Sequence, residues 1–125
     1  MAESSFPSLT AEGVTVTARL EGGVLQLAMS GTVEARDPGA LFDPYWTAID
    51  ETLRRDGVKQ VELDISHLDF MNSSGILTLV RWMMKVKLQP AYEILIRHDR
   101  ELTWQKANVP VLAKFAPAVV RVAER

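Results

Sequence analysis

The sequence contains no cysteine, no apolar run of membrane length and almost no net charge. The missing cysteine excludes disulfides, thiolate metal sites and thiol nucleophiles. A membrane helix would need about 18 consecutive apolar residues, and no stretch approaches that length. The 14 basic and 16 acidic residues leave a formal net charge of −2. No overall electrostatic field therefore draws the chain to nucleic acid or to anionic lipid.

The rest of the composition is typical of a globular protein. The chain has 125 residues, of which 47% are hydrophobic and 24% charged, enough for one domain with its own core. We expect residues 1–11 to form a disordered or extended tail before a domain over residues 12–125. The tail lacks the basic and apolar regions of a signal peptide, and we expect a cytoplasmic protein.

The first half of the chain predicts a hairpin followed by a helix. Apolar residues alternate over residues 14–20 and again over 24–30, with turn residues Gly22 and Gly23 between them. Residues 34–39 predict a loop. Asp43 and Pro44 are typical of a helix start, and Gly57 is typical of a helix end.

The second half predicts strands that alternate with helices. The expected elements are a strand at 61–65, a helix at 75–88, a strand at 92–96, a helix at 97–106, a short turn to residue 115 and a closing strand at 118–122. Asn108 and Pro110 predict the break after the third helix. The order β-β-α-β-α-β-α-β indicates an α/β fold, with a mixed sheet made of the opening hairpin and parallel strands.

The most informative segment is Asn72-Ser73-Ser74-Gly75, which joins the strand at 61–65 to the helix that follows. Two hydroxyls therefore lie at a strand-to-helix junction. A helix start has unpaired backbone N–H groups and the positive end of the helix dipole. These features stabilise a negative group, including a phosphate attached to a serine.

Residues 61–76 resemble the signature of STAS domains, the domains of anti-sigma factor antagonists. That signature is an apolar strand, Asp-Leu-Ser, a short apolar link, Asp-Ser-Ser/Thr-Gly and an apolar helix. Asn72 stands where the family carries aspartate; it can cap a helix but has no negative charge. The predicted element order also fits the STAS fold, so the resemblance implies a single STAS-like domain with helices packed against a mixed sheet.

The resemblance also implies a role without catalysis. A serine kinase of the GHKL type, acting as anti-sigma factor, would phosphorylate the first serine, and a PP2C-type phosphatase would remove the phosphate. The acceptor is then Ser73, with Ser74 as second choice. Asn72, Ser73, Ser74 and Gly75 would contact the protein partner, and partner binding would depend on phosphorylation. No cofactor, metal, nucleic acid or membrane is implied, and a homodimer is compatible with this role.

Trp82 is a further candidate contact. Residues at helical spacing give the second helix its apolar face: Ile76, Leu77, Val80, Met83 and Met84. Trp82 falls outside the face that Ile76, Val80 and Met83 define. We therefore expect Trp82 to be exposed and to contact a partner. We expect the same of Trp104.

Three other interpretations start from the same residues. The serines could only cap the helix, as serine often does. The domain could be a scaffold or a sensor of small ligands that needs no phosphorylation, which the loss of the acid at Asn72 favours. A hydrolase would need Gly-x-Ser-x-Gly and a histidine base, but the first glycine is missing and His67 and His98 have no evident partner. Asp64 is expected to be structural, and we assign no metal to Asp64 and Asp69.

Overall fold

The computed structural model describes residues 6–11 and 13–124. They form six strands and three helices. In chain order these are β1 (Leu9–Ala11), β2 (Val14–Glu21), β3 (Val24–Val33), α1 (Pro38–Asp56), β4 (Gln60–Met71), α2 (Ser73–Leu88), β5 (Glu93–His98), α3 (Thr103–Phe115) and β6 (Val120–Glu124).

The strands form one mixed sheet in the order β1-β2-β3-β4-β5-β6. The pairs β1/β2 and β2/β3 are antiparallel, whereas β3, β4, β5 and β6 pair in parallel. Each parallel connection contains one helix. Right-handed crossovers that step in the same direction along a sheet place their helices on the same face. Accordingly α1 contacts α2, and α2 contacts α3. The predicted mixed α/β fold and the opening hairpin are confirmed.

The hydrophobic core lies between this face of the sheet and the helices. Leu27, Leu63 and Ile96 are paired across three neighbouring strands, and all three are buried. Along each strand, the residues next to these three point to the other face of the sheet. There Glu62 accepts a hydrogen bond of 2.5 Å from Arg97 on the next strand. The sheet therefore has one apolar and one polar face, as strand alternation predicts.

Helix α1 begins at Pro38, six residues before the predicted start. Asp37 is the N-cap, and its side chain accepts a hydrogen bond from the Ala40 N–H. The sequence contains two Asp-Pro pairs with the same capping character, and the earlier one starts the helix. Pro44 therefore lies inside the helix. Gly57 ends the helix with φ of 68°, so that prediction is confirmed.

Helix α3 is continuous from Thr103 to Phe115, so the expected break at Asn108 and Pro110 is wrong. Pro110 lies on the exposed side of the helix, and its ring removes one backbone N–H donor from the helix. Val109 and Leu112, on either side of it, are buried and hold the helix against the core. The expected helical start at Arg97 is also wrong, because Arg97 belongs to β5.

The N-terminal segment contains a strand that the sequence did not predict. Residues 9–11 form β1, which pairs with β2, and Phe6 is buried in the core. The Tyr45 hydroxyl donates a hydrogen bond of 2.8 Å to the Pro7 carbonyl. The expected tail over residues 1–11 is therefore docked over residues 6–11, and residues 1–5 lie outside the described residues.

Candidate functional site

The β4–α2 junction begins with Asn72, which lies between the last residue of the strand and the first residue of the helix. Its Oδ1 atom accepts a hydrogen bond of 2.8 Å from the Gly75 N–H, so Asn72 is the N-cap of α2. The alternative that Ser73 and Ser74 only cap the helix is therefore wrong. The asparagine performs that role, and the two serines follow it in the first turn.

Asn72 also ties the helix start to the β3–α1 loop. Its Nδ2 atom donates a hydrogen bond of 3.0 Å to the Ala35 carbonyl, and its backbone N–H donates to the Val33 carbonyl at 3.0 Å. These two side-chain hydrogen bonds require that the side chain at position 72 accept from the Gly75 N–H and donate to the Ala35 carbonyl. An aspartate would place a carboxylate oxygen against the Ala35 carbonyl. The amide at this position is therefore suited to its surroundings in this chain.

Ser73 and Ser74 are both exposed. Within the described part of the chain, neither hydroxyl makes a hydrogen bond to another residue. The first turn of α2 contains no acidic residue. The partial positive charge at the N-terminus of the helix is therefore not neutralised by a side chain of that turn. A negative group attached to Ser73 would therefore meet a favourable local field and no competing side-chain bond.

Gly75 allows α2 to approach the ends of β3 and β4 closely. A Cβ atom at this position would lie 2.8 Å from Met71 Cγ and 2.9 Å from Val33 Cγ1, closer than side-chain atoms pack. Gly75 is itself buried. Its effect on the site is to position the exposed serines, and the expected direct contact with a partner does not fit its burial.

Trp82 is buried, with only 2% of its surface exposed, so the expectation of an exposed contact residue is wrong. Its Nε1 atom donates a hydrogen bond of 2.8 Å to the Tyr92 hydroxyl, and its ring stacks on Trp46 with centroids 4.7 Å apart. Helix α2 has two buried sides, one against the sheet and one against α1. Helical periodicity identified only the first, and Trp82 lies on the second. Trp104 is also buried, and it donates to the Leu68 carbonyl.

The contact between α1 and α2 continues as a buried polar chain. The Tyr92 hydroxyl donates a hydrogen bond of 2.5 Å to Asp50, and Asp50 accepts two further bonds from Arg54 Nε. Burial raises the pKa of Tyr92, and the hydrogen bond to Asp50 raises it further. The phenol therefore stays neutral and links Trp82 to the carboxylate.

Beside Ser73 lies an apolar groove between α2 and α3, with a volume of about 520 Å³. We call it the α2–α3 groove. Four of its lining residues are large apolar side chains with 41–51% of their surface exposed: Phe70, Leu77, Val111 and Phe115. Leu77 was predicted on the apolar core face of α2, and that prediction is wrong because its side chain is half exposed. The sequence does contain a signal for the groove, because the apolar stripe on α2 is wider than a single packing face needs.

Asp64 stabilises the irregular part of β4, where the register between β3 and β4 shifts. Its Oδ1 atom accepts hydrogen bonds from the Ser66 N–H at 2.9 Å and from the Ser66 hydroxyl at 2.6 Å. His67 Nδ1 lies 3.2 Å from the same hydroxyl. This arrangement agrees with the structural role expected of Asp64. Among residues 6–11 and 13–124, no three histidine or carboxylate side chains are grouped closely enough to hold a metal ion.

Comparison with known proteins gives matches in structure. The crystal structure of an anti-sigma factor antagonist from Mycobacterium paratuberculosis matches with a TM-score of 0.63 and 18% identity, over 90% of both chains. The chain has a STAS-like fold. A second match, with a TM-score of 0.70 and 15% identity, is to SiaC of Pseudomonas aeruginosa, crystallised in complex with the diguanylate cyclase SiaD that it activates. That match covers 95% of this chain and 99% of SiaC.

No protein-family model matches the chain, and no curated protein matches it in sequence. The two structural matches therefore establish the fold, and the STAS resemblance of residues 61–76 is confirmed at that level. None of the helices in the described part of the chain combines the length and the apolar character that a membrane span requires.

Proposed function

We propose that the protein is a non-catalytic regulatory module whose binding to a protein partner is switched by phosphorylation of Ser73. The observation that carries this proposal is the exposed Ser73 at the start of α2, directly beside the exposed α2–α3 groove. A modification at this point changes the edge of an apolar surface suited to protein contacts.

A phosphate on Ser73 would alter the surface while leaving the fold intact. It adds a charge of about −1.5 to −2 at pH 7, close to the N–H groups at the start of the helix. The N-cap bond from Asn72 does not involve the Ser73 hydroxyl. The phosphate therefore displaces no internal hydrogen bond, and its main effect falls on an approaching partner.

We infer the class of partner from the STAS-like motif and from the two structural matches. The STAS motif of residues 61–76 resembles sequences that are phosphorylated by a GHKL-type anti-sigma kinase and dephosphorylated by a PP2C-type phosphatase. One structural match is an anti-sigma factor antagonist, and the other activates an enzyme that it binds. We propose a bacterial, cytoplasmic phosphoprotein in such a partner-switching pathway, with transcription regulation as its first candidate output.

The test is phosphorylation of the full chain by a GHKL-type serine kinase encoded near its gene, followed by peptide mapping by mass spectrometry. We expect one phosphate on Ser73, none on the Ser73→Ala variant, and unchanged modification of Ser74→Ala. Phosphate on Ser74 alone would move the switch to the second choice. Unmodified protein, under conditions in which the kinase modifies a control substrate, would contradict the proposal.

A second candidate is a scaffold or ligand sensor that needs no phosphorylation. It is favoured by Asn72, whose amide meets local hydrogen-bonding needs where the family carries an acid. Native mass spectrometry of the purified, unphosphorylated protein separates the two. A retained small molecule, together with partner binding that is equal for Ser73→Ala and Ser73→Asp, would favour this second candidate.

A further inference from the structure

Strand β6 is an edge of the sheet, and within the described residues no strand pairs with its outer side. On its inner side the Val119 carbonyl accepts a hydrogen bond of 2.7 Å from the Ile94 N–H, and Ile94 is paired with Val120. In a parallel ladder, the residues before and after such a paired residue bond to the neighbouring strand, so the paired residue points its own backbone groups away. Three residues of β6 therefore point their backbone groups outward: Val120, Val122 and Glu124.

Most of these outward groups are free to bond to another strand. The Val120 N–H already donates a hydrogen bond of 2.9 Å to the Ala116 carbonyl in the preceding turn. Within the described part of the chain, the Val120 carbonyl and both backbone groups of Val122 and Glu124 have no backbone partner. A row of unpaired N–H and C=O groups along an edge fits an extended strand, because only a strand repeats its own groups at the same spacing.

The side chains of β6 do not block this edge. Val122 lies on the apolar face of the sheet, opposite the buried Ile96, yet it is 40% exposed. Charged side chains often protect an edge strand from pairing. Here both charges of β6 have a counter-charge in the same chain, because Arg121 pairs with Glu93 and Glu124 lies 3.8 Å from Arg100. An approaching strand therefore meets an exposed apolar residue and no uncompensated charge.

We infer that β6 pairs with β6 of a second copy of the chain, antiparallel and centred on Val122. Each Val122 N–H would donate to the Val122 carbonyl of the other copy. Each Glu124 N–H would donate to the Val120 carbonyl of the other copy. The two Val122 side chains would then lie side by side on the apolar face, so the pairing covers the residue that the single chain leaves exposed.

Other registers of the same pairing are less favourable. A shift by one residue would set outward groups against groups that are already bonded to β5, so the ladder could not form. A shift by two residues in one direction would place Arg121 directly opposite Arg121, and like charges in that position destabilise a sheet. The opposite shift would place Val122 against Glu124. The register centred on Val122 instead places Arg121 opposite Ala123.

The two-fold contact also separates this pairing from one that uses the other edge of the sheet. Strand β1 pairs with β2 only over residues 14–16, so the outer side of β2 is open beyond residue 16. A contact between β6 and β2 of the next copy would be head-to-tail and would continue without closing. A contact between two β6 strands closes after two copies. Strands of five residues bury less than the roughly 1,200 Å² of a standard interface, so we expect a weak, concentration-dependent dimer.

The pairing leaves the candidate switch site accessible. Ser73 follows the carboxyl end of β4, and strands on the two sides of the seam run in opposite directions. The two Ser73 sites would therefore lie at opposite ends of the dimer, and one dimer could bind two partner molecules. This consequence rests on the proposed function, whereas the pairing of β6 does not.

The first test is sedimentation equilibrium of the full, unphosphorylated chain over about two decades of micromolar concentration. We expect the average mass to rise from 13.9 kDa towards twice that value, and no further. Val122→Pro removes an outward N–H that the single chain does not use, and proline is tolerated at such an edge position. It should raise the dissociation constant by at least about tenfold.

A matched pair of lysine variants locates the contact. Val122→Lys places a charge at the centre of the proposed seam and should weaken the dimer by at least about tenfold. Leu20→Lys is the control, because Leu20 is 42% exposed on β2, at the other edge of the sheet. It should leave the dissociation constant unchanged. Circular dichroism and urea unfolding confirm that each variant is folded, and the lysine variant decides the result if Val122→Pro does not fold.

A second test uses the absence of cysteine from the chain. In the proposed register the two Val122 Cα atoms lie about 5.5 Å apart, a separation that a disulfide can span. Val122→Cys should therefore form a disulfide-linked dimer on mild oxidation, at least about tenfold faster than Leu20→Cys, because pairing holds the two thiols at high effective concentration.

A chain that stays monomeric at every concentration would overturn the inference and leave the edge to a strand of another protein. A dimer that is insensitive to both Val122→Pro and Val122→Lys would also overturn it. Growth beyond two copies that Leu20→Lys suppresses would assign the contact to the β6–β2 arrangement instead. The two proposals fail separately. If Ser73 is not phosphorylated but the thiols at position 122 link, the switch fails and the pairing stands; the reverse results would leave only the switch.

Discussion

The two sides of helix α2 differ in how completely the protein covers them. On the side facing α1, Trp82 stacks on Trp46, and Thr78 accepts a hydrogen bond from Trp46 Nε1. On the side of the α2–α3 groove, Leu77 is 51% exposed although it is as apolar as a core residue. The same helix therefore carries one completed interface and one open interface. The open one lies beside Ser73, which is why we assign partner binding to it.

The largest effect is expected on the α1-facing side. Trp82→Ala removes a buried ring and leaves the Tyr92 hydroxyl without one of its partners, so we expect a loss of about 3–5 kcal/mol in the free energy of unfolding. Leu77→Ala, on the groove side, is the matched control, with an expected loss of at most about 0.5 kcal/mol. Urea unfolding followed by circular dichroism measures both. Similar losses for the two variants would remove the distinction between the two sides.

Asn72 lies where β4 leads into α2 and is expected to show the next largest effect. Asn72→Asp keeps the N-cap acceptor but sets a carboxylate oxygen against the Ala35 carbonyl, which should cost about 1–3 kcal/mol in unfolding free energy. Asn72→Ser also caps a helix and lacks the negative charge, so it serves as the control. If Asn72→Asp is as stable as the wild type, the amide contact with Ala35 contributes nothing.

The buried polar chain on the α1-facing side predicts a pH dependence. Burial raises the pKa of both Tyr92 and Tyr45 in the folded state. The unfolded chain therefore ionises first, and stability is complete below the ordinary tyrosine pKa of about 10 and falls as the pH rises above it. Each tyrosine contributes up to about 1.4 kcal/mol per pH unit above that point. Denaturation curves measured between about pH 9 and about pH 11, on either side of the tyrosine pKa, should have a shallower pH slope for Tyr92→Phe than for the wild type. An unchanged slope would contradict the account of Tyr92.

A much smaller stability effect is expected at Ser73, on the groove side. A negative charge in the first turn of α2 interacts favourably with the helix dipole, so Ser73→Asp should stabilise the fold by about 0.3–1 kcal/mol. Ser73→Asn, which has similar size and no charge, is the control. Thermal unfolding at low salt measures the difference. A clear loss of stability in Ser73→Asp would show that a negative group at this position disturbs the fold.

Much of the fold could be predicted from local patterns. Strand alternation and helix periodicity gave the order of the eight main elements, and the motif around Ser73 indicated the STAS-like fold that the structural matches support. The strand β1 has only three residues, too few for an alternating pattern to be recognised. The start of α1 was misplaced because two Asp-Pro pairs carry the same local signal, and only packing selects the first.

The site was harder to predict than the fold, because its character depends on which surfaces meet. A helical stripe identifies one buried side of α2 but not the second side, where Trp82 packs against α1. The exposure of Leu77 depends on how far α3 lies from α2, and no local sequence pattern specifies the distance between the two helices. The two hydrogen bonds of Asn72 likewise involve Ala35, which is 37 residues away in the chain.

The central claim is that Ser73 controls partner binding beside the groove. Its most direct test is isothermal titration of the GHKL-type kinase partner with unphosphorylated protein and with protein phosphorylated only at Ser73. We predict that phosphorylation weakens the affinity by at least about tenfold, a difference of about 1.4 kcal/mol in binding free energy. Equal affinity of the two forms would contradict the account.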